Sequence, residues 1–251
     1  MYRLNKDAVL TPELITKYIE KDMSAAARLN KLMDYYKGKH AIKNRLMADP
    51  SKPNNRVINP YATYITDLGV GYFMGEPVSY SSEEDNFINE LNLILNYNDE
   101  ASENAELAKD ASIYGLAYEL LYLDEDKAIR FKKIDPVGCI PIFDNTIEEE
   151  LLYFIRYYSD ENVLTGNTQT YVEVYSRTYR QLFKQNLSAL QLIEEEQHAF
   201  GAVPIVIYQN NPELIGDFEE VIPLIDAYDK IQSDSVNDME YFADAYLAMY
   251  G

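Results

Sequence analysis

Residues 66–80 read TDLGVGYFMGEPVSY. Three glycines, Gly69, Gly71 and Gly75, stand among apolar residues, and three physical uses compete for them. Glycine-rich loops cradle phosphates, apolar runs cross membranes, and glycine ends helices. A dinucleotide fingerprint needs a strand before its glycines and a helix after them, and a P-loop needs a Lys-Ser/Thr pair. Here a helical pattern precedes the glycines, Glu76-Pro77 follows, and the spacing G-x-G-x-x-x-G fits neither motif. The run is also far shorter than a membrane span. The remaining reading is structural: a buried helix ends near Gly75, Pro77 blocks its continuation, and a short strand follows at Val78–Tyr80. Gly75 is expected either at positive φ or where another backbone comes close, and no phosphate is expected at Gly69–Gly75.

Working outward from this turn, its helix is expected to start at Asn59-Pro60, a cap followed by proline, with Tyr61, Tyr64 or Ile65, Leu68 and Tyr72 facing inward. Residues 37–56, KGKHAIKNRLMADPSKPNNR, precede it and read as a mobile loop, broken by Pro50, Pro53, Asn54 and Asn55. Before the loop, Thr11-Pro12-Glu13 opens a helix by capping residue, first-turn proline and first-turn acid. Its period runs through Leu14, Tyr18, Ala25, Leu29, Leu32 and Tyr36 until Gly38.

C-terminal to the turn, helices are predicted through Phe87, Leu91, Ile94 and Leu95, and from about Ser102 to Tyr114. LAYELLYL and AIRFKKI flank Asp124–Lys127 as a hairpin. Further strands are predicted at 139–143, 151–158, 170–176, 179–185, 189–195 and 203–208. A long helix closes the chain, with Asp217 as cap, Pro223 near its start, and a stripe of Ile225, Tyr228, Ile231, Met239, Phe242, Tyr246 and Met249. Its opposite face is acidic. The fold class is therefore α+β: a helical part over about 1–115, a central, mostly antiparallel β-rich part over about 116–210, and a long helix over about 217–250.

The 251 residues are 47% apolar and carry a net charge of −20. The charge is uneven: residues 1–60 hold 12 basic and 6 acidic side chains, residues 61–251 hold 10 and 36. From Gln185 onward Lys230 is the only cation, against 13 acids. A surface of this sign repels phosphate, which excludes a DNA-wrapping protein and confines any nucleic-acid contact to a local patch. The one such patch is the loop at 37–56, with Lys37, Lys39, His40, Lys43, Arg45, Lys52 and Arg56 as candidates for contact with DNA or an acidic partner. The N-terminus shows no apolar run of secretory-signal type, and the single cysteine, Cys139, rules out an intrachain disulfide. The 23 tyrosines suit half-buried strands and protein interfaces.

Catalytic and metal chemistry find no pattern. The two histidines, His40 and His198, have no ligand at metal spacing. Asp124-Glu125-Asp126 begins like a calcium loop, but Ala128 and Ile129 stand where a ligand and a glycine are required, so a hairpin turn is the reading. Cys139 lies in a predicted strand, where a buried inert thiol is expected. No cofactor, metal or enzymatic site is expected. An α+β hydrolase working through a carboxylate pair and a cytosolic protein-binding adaptor remain as alternatives.

Five stretches, in this order, resemble one family: LNKLMDYYKGKHAI (29–42), PNNRVINPYATYITDLGVGYFMGEPVSY (53–80), DASIYGLAYELLYLDEDKAIRFKKIDP (110–136), FGAVPIVIYQNN (200–211) and the run from Gly216 to Gly251. They are similar to the N-terminal half of portal proteins from tailed phages of Gram-positive bacteria. The resemblance implies a structural subunit of a dodecameric ring at one capsid vertex, assembled in the host cytoplasm and carried in the virion. Such a ring passes double-stranded DNA and works with terminase, scaffold, capsid and head–tail connector proteins. It is no enzyme and has no membrane role. The matched part resembles the outer wing as a single region over 1–251, without the family's stem, clip and crown.

Overall fold

The computed structural model describes residues 2–161, 163, 166–186 and 189–243. Helix α1 spans Pro12–Tyr36, and the Thr11 side chain accepts a hydrogen bond from the Leu14 N–H, as its cap position requires. Gly38 follows at φ 67° and turns the chain away. A 3-10 turn at Ala41–Asn44 leads to α2 (Tyr61–Phe73), α3 (Asp85–Tyr97) and α4 (Glu100–Tyr114). Strands β2 (Leu116–Leu123) and β3 (Ile129–Ile134) form the expected hairpin, and Asp124 holds its turn by accepting from the Asp126 and Ala128 N–H groups.

Two sheets make up the β-rich part. Strands β4 (Cys139–Asp144), β5 (Leu151–Glu161), β6 (Thr168–Tyr175), β7 (Tyr179–Asn186) and β8 (Ala189–Gln197) run as an antiparallel meander. The short strand β1 (Tyr2–Leu4), not foreseen from sequence, joins β4 in parallel and makes this sheet six-stranded. The smaller sheet has the order β3-β2-β9, where β9 is Ile205–Gln209.

Alternation along the strands divides the core. Ile155 on β5 and Val172 and Val174 on β6 pack with Ile15 of α1, while Phe154 of β5 packs with Tyr118, Tyr175 and Ile205 between the two sheets. A third, helical core joins Leu29, Leu32 and Tyr35 of α1 to Ala62 of α2, Ile113 and Tyr114 of α4, and Phe218. Gly115 ends α4 at φ 87°, where a Cβ would lie 2.2 Å from the Leu214 carbonyl oxygen, so only glycine fits.

Helix α5 begins at Ile222, after a 3-10 turn at Glu219–Val221, and is described to Ala243. Asp217 is not its cap; it accepts from Ser112 and Asn210 and ties the segment to α4. The expected stripe residues Tyr246 and Met249 lie outside the described residues.

Several sequence expectations are corrected by packing. Val78–Tyr80 forms no strand and joins neither sheet. Asn59 does not cap α2; its N–H groups donate to Asp229 instead. In α1, Ala25 is exposed, and the inward face runs through Ile15, Asp22, Leu29, Leu32 and Tyr35. Most of the α2 stripe is turned outward: Ala62 and Thr66 are buried and Ile65 is half-buried against the helical core, whereas Tyr61, Tyr64 and Leu68 are exposed and Tyr72 is 93% exposed. Helix α5 does the same, burying Asp229, Ser233 and Asn237 beside Ile222 and Ile225 and exposing Ile231, Met239 and Phe242.

Candidate functional site: the basic strap

The outward turn of α5 follows from what lies against its inner face. Asp229, Ser233 and Asn237 are spaced by four residues, so they share one helical face. Residues 37–60 are laid along that face as a strap. Val57 donates its N–H to Ser233 Oγ at 2.9 Å, and the Asn55 N–H donates to Asn237 Oδ1 at 2.7 Å. Asn59 donates both its backbone N–H and its side-chain N–H to Asp229 Oδ1, at 2.8 and 2.9 Å. An extended segment with no strand partner must satisfy its backbone donors somewhere, and the polar seam of α5 supplies the acceptors. The seam replaces a ladder, which is why polar residues face inward here.

His40 closes the start of the strap. Its side chain is fully buried, its Nδ1 lies 2.6 Å from Asp229 Oδ2, and its Nε2 lies 3.1 Å from the Tyr35 carbonyl oxygen. The ring is thus held through both of its nitrogens. The ring also stacks on Tyr35 at 4.8 Å. Burial and the hydrogen bond to Asp226 push the Tyr35 hydroxyl up to about 12, so it remains a donor at neutral pH.

The seven predicted contact residues therefore divide. His40 is inside the protein, bonded to Asp229, and is corrected from a contact candidate to a structural clasp. Arg45 is committed to Asp234 of α5. Lys39 pairs with Asp34 at 3.2 Å but stays largely in solvent. Lys37, Lys43, Lys52 and Arg56 are exposed and make no ion pair among the described residues. The loop expected to be mobile is instead anchored at both ends. Its middle is held less completely: Arg45 Nη1, Asn54 Oδ1 and Asn237 Nδ2 are buried without a hydrogen-bond partner among the described residues.

Gly69 and Gly71 lie inside α2, and Gly75 lies just past its end. Gly75 meets the second of its two expected conditions: a Cβ there would lie 2.6 Å from the Gly71 carbonyl oxygen. A groove of about 380 Å³ opens between the end of α2, α4 and β9, lined by Phe73, Leu107 and Ala111 with Asp217 as its only carboxylate. It does not bring together the two carboxylates that the hydrolase alternative needs.

The remaining ionisable clusters are built into the sheets. Burial works against the Glu173 carboxylate, but the Arg156 and Arg180 guanidiniums outweigh it and hold its pKa below the usual range. Burial raises Asp22, against the opposing hydrogen bonds from the Tyr157 and Tyr2 hydroxyls. Burial also raises the Cys139 thiol, which makes it inert. No helix among the described residues is long and apolar enough to cross a membrane. His40 was visible in the sequence, but its partner lies 189 residues away and nothing local announced it.

Comparison with known proteins agrees with the resemblance. Residues 15–251 match the family model described as phage portal protein, SPP1 Gp6-like. Among curated proteins, the chain is 24% identical to the portal protein of Bacillus phage SPP1 over 78% of this chain and 41% of that one. It is 25% identical to the portal protein of Clostridium phage phiCD119 over 91% of this chain and 56% of that one. The chain thus spans about half the length of the curated relatives it matches.

Proposed function

Since the chain belongs to the SPP1 Gp6-like phage portal family, we propose that it serves as part of a structural subunit in a homo-oligomeric portal ring at one capsid vertex. Such a ring passes double-stranded DNA in packaging and ejection, and docks terminase and head–tail connector proteins. The observation that carries this reading is the outward polarity of α2 and α5. Monomers rarely leave rows of large apolar side chains in water, and such rows mark surfaces that a partner covers. The protein works through surfaces, and we assign it no catalytic step. The exposed cations Lys37, Lys43, Lys52 and Arg56 serve as a contact for DNA or an acidic neighbour.

Electron microscopy of phage particles labelled with antibody against this chain tests the assignment. Label at a single vertex per capsid, at the head–tail junction, is the expected result. Label over all vertices, along the tail, or absent from particles contradicts it.

A further inference from the structure

The strap and the helices that follow it carry opposite charges, several of them without an ion-pair partner among the described residues. From Val57 to Ala108 the chain has no lysine or arginine and ten carboxylates. Glu103 and Glu106 find cations in Lys109, Lys132 and Lys133. Glu76, Glu83, Glu84, Asp85 and Glu90 are exposed and find none among the described residues. The same stretch of chain also exposes large apolar side chains, Tyr72, Phe73, Phe87 and Leu93, and α3 has no fully buried residue. The strap presents the complement, with Lys37, Lys43, Lys52 and Arg56 in solvent beside the exposed Leu46.

We infer that the α2–α3 flank of one copy seats on the basic strap of the next copy. The inference rests on the ring reading above and specifies the contact that closes the ring. A head-to-tail ring needs two different, mutually complementary patches on every copy, whereas a two-fold dimer sets a patch against itself. Like charges exclude setting either patch directly against its own copy. A nucleic acid suits the strap alone; it leaves the apolar flank in water and is repelled by the acids there. A second copy answers both patches at once: its apolar side chains are covered, and the charges set register and orientation.

Sedimentation velocity of the chain, with two charge-reversal variants, tests the contact. One variant carries Lys43→Glu, Lys52→Glu and Arg56→Glu; the other carries Glu83→Lys, Glu84→Lys and Glu90→Lys. All six positions are exposed, so folding is preserved, and circular dichroism verifies it. At about 0.01 M salt, where the screening length is ~30 Å, the unaltered chain associates as concentration rises, and about 1 M salt abolishes this. Each variant alone loses association by about tenfold or more. Mixed one to one, they assemble in alternation beyond the heterodimer, because the native patch left on each meets its complement and the two reversed patches meet each other. The chain with all six reversals associates again.

A chain that stays monomeric at low salt and high concentration overturns the inference. So does association that survives in either variant, or a mixture that does not pair. Binding of a duplex oligonucleotide that the strap variant abolishes, without self-association, also overturns it and assigns the strap to nucleic acid. Failure of pairing with label still at one capsid vertex removes this contact and leaves the portal reading standing. Pairing with label elsewhere does the reverse.

Discussion

The six-stranded sheet and helix α5 solve the same problem with opposite polarity. In the sheet, one face of β5 and β6 packs on α1 and the other on the small sheet, so apolar residues alternate inward on both sides. In α5 the inward residues Asp229, Ser233 and Asn237 are polar, and Ile231, Met239 and Phe242 face water. Burial in the sheet is completed within this chain. Burial of the α5 stripe is not, and what holds the helix beyond Ile225 is a row of hydrogen bonds to the strap. An apolar stripe marks a surface to be covered; it does not say that the same chain covers it.

Removing side chains on the two sides of this contrast sharpens it. Phe154 is fully buried between the sheets and packs edge-on against Tyr118 at 5.1 Å. Phe154→Ala is expected to cost about 3–5 kcal/mol in denaturant unfolding, from lost burial and the cavity left behind. A loss below about 1 kcal/mol means that the sheet core is not closed as described.

The polar seam gives the next largest effects. Ser233→Ala removes the acceptor of the half-buried Val57 N–H and is expected to cost about 1–3 kcal/mol. Hydrogen exchange at Val57 should quicken with it, while exchange in β5 and β6 is unchanged. Equal acceleration in both places would show that strap and sheet unfold as one unit.

Asp22 offers a smaller, pH-dependent test. Its folded pKa is raised by burial, so its ionised form disfavours the fold. The stability linked to it is fully present below the ordinary aspartate range and is lost as pH rises through the folded pKa. Asp22→Asn keeps one acceptor oxygen for the Tyr2 and Tyr157 hydroxyls and puts an amide N–H, from which the other hydroxyl accepts, in place of the second. The variant should match or exceed the parent at neutral pH, and its advantage should vanish as pH falls towards the ordinary aspartate value. An advantage that grows on acidification has the wrong sign for a buried carboxylate.

The contrast also explains what the sequence made legible. Helix α1 announced itself through Thr11-Pro12 and Gly38, and the hairpin through Asp124–Lys127, because those signals are local and act within one turn. Strands β4, β5 and β6 were legible because both faces of the sheet are covered there, so apolar content and strand agree. Strand β1 was missed because three residues show no period, and its partner β4 is remote. The faces of α2 and α5 were read inside out except at Ile65 and Ile225, which do pack inward. A stripe of Tyr64, Leu68 and Tyr72 looks like a core face from sequence, and only the docking of Ala62 and Thr66 reverses it. The basic loop was visible by composition, but its anchoring was not, since Asp229, Ser233 and Asn237 lie more than 170 residues from their partners.

The inverted helix is tested most directly by unfolding Asp229→Ala and Met239→Ser side by side in denaturant. Asp229 is fully buried and holds His40 and Asn59, whereas Met239 is 72% exposed. Asp229→Ala should lose about 3–5 kcal/mol, because it strands a buried histidine and a backbone N–H. Met239→Ser should stay within about 0.5 kcal/mol of the parent. The reverse order, with Met239→Ser the more damaging, would mean that the apolar stripe of α5 faces the core and that the strap does not hold it.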